Sequence, residues 1–332
     1  MKILINKNPL SLIILSLTCY LFSGNSFSDF IYSTETVKGS EFDVSYHLIE
    51  TDDGLYVPIG LRTPNDDGPF PVILFTSGNG NGGLDFVKDY TQNRSWTQEK
   101  FLQNGYAVAW LRYRAEVDAP KYTGSSRVGR DWSGRQRFDR ALLEYEDVVS
   151  IINYVKELSD IDSNKIGYMG MSHGGEMLMK IASEYPNLLT VAIASEPASM
   201  DFLAVSPPAP DQDYIDPSVP DTYEANTLEM QEIATDKLIN ERVNLEIAMK
   251  RIASISMPIL IQVRDRDHNQ DTFLANYKLL KQAEKNVEWQ SYDHEFHGFA
   301  YPERNQDGEY KPDEIQTQVE IYSGWKTVMK NL

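Results

Sequence analysis

The chain has 332 residues, 24% of them charged and 41% apolar, with one cysteine and a formal charge of −18. That length can bury a sizeable core, and the mix of charge and apolarity excludes both a disordered chain and a multi-span membrane protein. The negative charge repels polyphosphates and acidic lipid headgroups, so neither nucleic acid nor a membrane surface is an expected partner.

Residues 1–28 form a segment apart. Lys2 and Lys7 precede an apolar run from position 10 to 22, then Ser26-Phe27-Ser28, and the segment holds no acidic residue. Charged, apolar and small residues in that order are the layout of a secretory signal peptide, with cleavage expected after Ser28. The run falls short of the roughly 20 residues that span a bilayer, so no stable membrane span is expected after processing. A retained anchor is the competing reading. Lipidation at Cys19 is a further alternative, disfavoured because Thr18 is larger than the residue usual before a lipoprotein cysteine. Cleavage leaves 304 residues with 29 basic and 49 acidic side chains, a charge of −20, and removes the only thiol. A cysteine nucleophile or cysteine metal site is thereby excluded, and the expected location is secreted or periplasmic.

Residues 29–332 read as one domain. Residues 41–50 and 55–62 alternate like antiparallel strands, with Asp52-Asp53-Gly54 as the hairpin turn. Short, uniformly apolar runs follow at 72–75, 106–111, 165–169, 191–194 and 259–263, as expected of strands buried on both faces. Between them lie helical spacings: Leu142, Tyr145, Val148, Val149, Ile152 and Val155 form one apolar face, and Met177, Leu178, Ile181, Ala182 and Tyr185 another. Strand and helix in alternation demand crossovers, hence an α/β fold with a mostly parallel central sheet and helices on both faces. Residues 199–256 break the alternation. They open with five prolines and continue as a helical run from about 223 to 251, which predicts a helical cap insertion over the sheet.

The chemistry centres on Gly170-Met171-Ser172-His173-Gly174, a G-x-S-x-G pattern between the strand at 165–169 and the helix from 174. A serine on so tight a strand-to-helix turn takes strained backbone angles and lifts its Oγ above the sheet edge. The helix behind it aims N-terminal amides at the same point, which favours a developing negative charge. The hydroxyl needs a base, and the base an orienting carboxylate. Two later loops at carboxyl ends of strands supply both: Arg264-Asp265-Arg266-Asp267-His268 and Asp293-His294-Glu295-Phe296-His297-Gly298-Phe299.

From about residue 70 to the end, the chain resembles the α/β-hydrolase superfamily, in particular its prolyl-oligopeptidase and dienelactone-hydrolase-like branch. The resemblance rests on the serine turn, on Pro258 and the apolar strand that leads to Asp267, and on His297-Gly298-Phe299. It implies Ser172 as nucleophile, Asp267 as the acid and His297 as the base. The His-Gly usual before the family's acid is replaced here by Val263-Arg264, which leaves Asp265 as a rival; His294 is the reserve base. The dienelactone hydrolases use cysteine, so with Ser172 they match in fold and not in nucleophile.

Thr76-Ser77-Gly78-Asn79-Gly80-Asn81-Gly82-Gly83 contains G-x-G-x-x-G, a dinucleotide signal, but the next helix is predicted only near Ser95, leaving no helix terminus at the glycines to face a pyrophosphate. In hydrolases this loop gives the second oxyanion donor, so the backbone amides of Asn79 and His173 are the expected pair, with Gly80 a neighbouring candidate. No cofactor and no metal are expected, since Asp293, His294, Glu295 and His297 on one extended loop converge poorly on an ion.

The resemblance thus implies a serine hydrolase that cleaves carboxylic esters of small molecules through an acyl-enzyme. Peptide cleavage is the alternative; peptidases of this branch usually carry an N-terminal propeller, and only some 40 residues precede the hydrolase part here. Between Arg112 and Arg140 stand eight basic residues against four acidic ones. Arg112, Arg127 and Arg130 are therefore candidate readers of an anionic substrate, and pairing with the acidic insertion is the competing reading.

Overall fold

The computed structural model describes residues 31–52, 54, 56–78, 82–113, 143–206, 227–330 and 332. The expected signal peptide, Cys19, Asn79, Gly80, Arg127, Arg130 and residues 207–226 of the insertion lie outside them.

Among the described residues, nine strands form one sheet in the order β1-β2-β3-β5-β4-β6-β7-β8-β9. β1 (Ile31–Glu35), β2 (Val44–Glu50) and β3 (Tyr56–Arg62) run antiparallel to their neighbours at one edge. The turn between β2 and β3 closes with a Gly54 N–H to Thr51 carbonyl bond of 2.8 Å, with Gly54 at φ +77, which its missing Cβ permits. From β5 (Ala107–Leu111) through β4 (Phe70–Thr76), β6 (Ile161–Met171), β7 (Val191–Ser195) and β8 (Ile259–Arg264) to β9 (Val287–Tyr292), every pairing is parallel. This is the α/β-hydrolase architecture that the sequence leads one to expect.

Side chains alternate across the strands and build two cores. Val72, Leu74, Ala109, Ala192 and Ile261 face one side, under α3 (Leu143–Glu157), α4 (His173–Glu184) and α7 (Gln270–Gln282). Ile73, Phe75, Val108, Trp110, Ile193 and Leu260 face the other, under α1 (Leu84–Asn93), α2 (Trp96–Leu102) and α8 (Pro312–Met329). Each fully buried Val, Leu, Ile or Phe stabilises by about 1.5–3 kcal/mol, so the strand ends that carry the site are anchored from both faces.

Two expectations need correction. Helix α1 begins at Leu84, directly after Gly83 and well before Ser95. It buries Val87 and Thr91 and packs Leu84, Phe86 and Tyr90 half-buried against the core, and it starts on Gly83 with no capping side chain to mark its beginning. The helical run of the insertion is two helices, α5 (Leu228–Glu241) and α6 (Leu245–Ser254), each started by a side-chain cap, Thr227 for α5 and Asn244 for α6. These helices also bury Leu238, Ala248 and Ile252 in the core, with α5 against α7 and α6 against α4.

Candidate active site

β6 runs into Ser172 and α4 leaves it. Ser172 stands at φ 56, ψ −117, left-handed backbone that only glycine takes without strain. The turn tightens until the flanking positions can hold nothing but hydrogen. A Cβ on Gly170 would meet the Gly174 carbonyl oxygen at 2.2 Å, and one on Gly174 would meet Thr76 Oγ1 at 2.4 Å. The Ser172 N–H donates to the Ser195 carbonyl at 2.8 Å, and its carbonyl accepts from Ala198 N–H at 3.1 Å, tying the turn to the end of β7.

Asp267 and His297 meet at the carboxyl ends of β8 and β9. Asp267 Oδ2 lies 2.8 Å from His297 Nδ1, and Asp267 is buried. Burial alone would raise the Asp267 carboxyl, but the bond to His297 and the charges of His268 and Arg264 hold it well below the usual carboxylate range. Burial alone would lower His297; the Glu196 and Asp267 carboxylates outweigh it and raise the imidazole to about 9. The His297 loop also returns to the serine turn, because a Cβ on Gly298 would stand 3.2 Å from Cε of Met171.

The rival residues face elsewhere. The Asp265 carboxylate accepts from the Ser291 hydroxyl on β9. His294 accepts the Phe296 N–H at Nδ1, 3.1 Å away, and stacks on Phe299. His173 directs its ring inward, with Nε2 2.6 Å from Glu144 Oε2 and the ring edge-on to Tyr113. Arg112 is buried too. Its Nη1 donates to the Gly78 carbonyl at 2.8 Å, and its guanidinium lies over the rings of Phe86 and Tyr113.

Three residues of the site escaped sequence reasoning. Arg264 donates from Nε to Asp267 Oδ2 at 2.8 Å and from Nη1 to the Glu295 carbonyl at 2.5 Å, lacing the acid loop to the histidine loop. Its replacement of the family's usual glycine was the available signal. His268 Nδ1 lies 3.2 Å from Asp267 Oδ1, and its ring is tilted against His297. Glu196, immediately after β7, is fully buried and reaches the same histidine; a carboxylate at the end of a buried strand was its only trace.

Asp267, His268 and His297 each offer one ligand atom, all within 4.8 Å of one another. The Arg264 guanidinium already holds Asp267 Oδ2 and opposes a second cation there. Gly78, just after β4, likewise has an occupant. A Cβ there would press on Ser172, so Gly78 packs directly on the serine side chain.

The profile of the prolyl oligopeptidase family matches residues 92–313, two thirds of the chain and the stretch that holds Ser172, Asp267 and His297. The chain belongs to the prolyl oligopeptidase family. As a member of that family it is a serine hydrolase. Among solved structures it is similar to an esterase, at 16% identity and a TM-score of 0.57, covering 87% of this chain and 80% of that one. It is also similar to a putative dipeptidyl aminopeptidase IV from Bacteroides ovatus, at 20% identity and a TM-score of 0.54, covering 88% of this chain and 36% of that one. A Pyrobaculum calidifontis esterase matches at 14% identity and a TM-score of 0.52, over 91% and 86% of the two chains. At such identities these likenesses speak for the fold. No match was found among curated proteins. Within the prolyl oligopeptidase family member described here, the described helices include none long and apolar enough to cross a membrane.

Proposed function

We propose that this chain is an exported esterase that cleaves small carboxylic esters through Ser172, His297 and Asp267. The observation that carries the reading is the 2.8 Å bond between Asp267 Oδ2 and His297 Nδ1, made on loops that converge on the strained turn of Ser172. Nδ1 bonded to the carboxylate leaves Nε2 of His297 as the basic nitrogen. His297 takes the Ser172 proton, and Oγ attacks the ester carbonyl. The oxyanion falls to the backbone amides of His173, at the N-terminus of α4, and Asn79. Each donor lowers the barrier by about 3 kcal/mol. His297 then protonates the departing alkoxide, and water, deprotonated by the same nitrogen, releases the acid.

Esters are favoured over peptides because the esterases are matched over 80% and 86% of their length, whereas the dipeptidyl aminopeptidase is matched over 36% of its own. The layout of residues 1–28 supports export. The deciding experiment compares p-nitrophenyl acetate and butyrate with aminoacyl p-nitroanilides, using wild type and Ser172→Ala. Ester turnover lost in Ser172→Ala is the expected result. Turnover confined to anilides would make the enzyme a peptidase, and full ester turnover in Ser172→Ala would overturn the mechanism.

A further inference from the structure

Glu196 has no part in the mechanism above, yet its placement is costly. It lies one residue beyond β7 at φ 47, a strained conformation for a residue with a Cβ, and its side chain is fully buried. Its N–H donates to the Gln262 carbonyl at 2.7 Å, which fixes the backbone to β8. One carboxylate oxygen, Oε2, accepts the Gly298 N–H at 2.6 Å. The other, Oε1, has no hydrogen-bond partner among the described residues and stands 3.6 Å from His297 Nδ1 and 3.9 Å from Arg264 Nε. A buried carboxylate with a bare oxygen beside a second carboxylate is destabilising unless a cation shares the space. An amide oxygen would hold the Gly298 N–H without that cost, so the bond to Gly298 alone does not account for the charge.

We infer that Glu196 is a second carboxylate of the His297 base, a positioning residue that holds the histidine loop through Gly298 and raises the pH at which His297 gives up its proton. The inference rests on the hydrolase reading and deepens it. His297 is faced by Asp267, Arg264 and His268 from the loop after β8 and by Glu196 from the end of β7. Both carboxylates stand beside His297 Nδ1, at 2.8 and 3.6 Å, whereas Arg264 engages Asp267 Oδ2 through Nε, so the imidazolium is the favoured form. The coupling is reciprocal: burial and the Asp267 charge push Glu196 up to about 7, against the His297 charge, which pulls it down.

The test compares kcat/KM against pH for wild type, Glu196→Gln and Glu196→Asp on p-nitrophenyl butyrate. An opposite charge within about 4–6 Å shifts a titration by one unit or more, so the acid limb of Glu196→Gln is expected about one pH unit lower. Glu196→Asp keeps the charge and shortens the reach, so its plateau falls while its limb stays near that of wild type. A Glu196→Gln limb superimposed on wild type, whatever its plateau, would overturn the inference and leave Glu196 a loop staple. A readout that needs neither turnover nor a Glu196 variant is the NMR titration of the His297 ring in Ser172→Ala protein. Two linked steps are expected from the shared site, and a single unperturbed step would also overturn the inference. Failure of the hydrolase reading looks different: His297→Ala would then keep full ester turnover, whatever the titration gives.

Discussion

Gly78 and Ser172 touch where no side chain could come between them. A Cβ on Gly78 would lie 2.9 Å from Ser172 Cβ and 3.2 Å from its Oγ. Gly78→Ala must therefore displace either Ser172 or the loop leading to Asn79. Misplacing a reacting group by an ångström costs about 100-fold in rate, and overpacking costs about 1–3 kcal/mol. The expected result is a fall of roughly 100-fold in kcat/KM with a modest drop in Tm. An alanine variant with wild-type kinetics would mean that the serine and its loop move independently.

The strain at Ser172 gives a prediction that needs no activity at all. At φ 56, ψ −117 an alanine keeps the clash of its Cβ, and a glycine does not. Ser172→Gly and Ser172→Ala should both be inactive, yet the glycine variant should be the more stable by about 1 kcal/mol, even after glycine's extra freedom in the unfolded chain is counted. Chemical denaturation of the two variants side by side measures this. Equal stability would show that the turn relaxes in solution.

Much of this was readable beforehand, and the reasons are local. Runs such as Ile73 to Phe75 and Val191 to Ala194 are buried on both faces, so their apolarity is unbroken. The serine turn announces itself because Gly170 and Gly174 have no room for a Cβ. Helix α1 stayed hidden because it starts on Gly83 with no capping side chain to announce it, and the break at Asn244 because capping residues are common in loops too. Glu196 could not be found from spacing: it is 71 residues from Asp267 and 101 from His297, and only the parallel order β7-β8-β9 makes them neighbours. Arg264 stood out as a departure from the family pattern, but its bond to Asp267 is a tertiary fact.

Activity and stability should move in opposite directions on the alkaline side. His297 is raised to about 9, so the neutral base accumulates only as pH climbs toward that value, and kcat/KM should still be rising above pH 7. A raised histidine contributes stability that is complete below its unfolded value near 6.5 and is lost as pH passes about 9. Glu196, raised to about 7, is most favourable at acid pH and loses that advantage as pH rises through 7. Asp267 acts in the other sense: its depressed titration contributes above about pH 4 and is lost in strong acid. Wild-type Tm should therefore decline between pH 7 and 9 more steeply than that of His297→Gln, while turnover increases. A rate plateau already reached at pH 7 would contradict the raised base.

Arg112 allows two of the chain's readings to be set against each other. Its guanidinium is buried, holds the Gly78 carbonyl through Nη1, and has no hydrogen-bond partner at Nε or Nη2 among the described residues. Tyr113 Oη also reaches the Gly78 carbonyl, at 3.2 Å, so the residue before Asn79 is held from two sides. If Arg112 positions this loop, Arg112→Met lowers kcat about tenfold or more for neutral and anionic esters alike, because a small misplacement of the groups around the reacting atoms costs about 10- to 100-fold in rate. The same variant should keep its Tm, since methionine fills the space between Phe86 and Tyr113 and no cation is left underpaired in the interior. If Arg112 instead reads an anionic substrate, KM rises for the anionic ester alone and kcat holds. Measuring both constants on p-nitrophenyl butyrate and on the p-nitrophenyl half-ester of succinate separates the outcomes, and burial of the guanidinium against Gly78 favours the first.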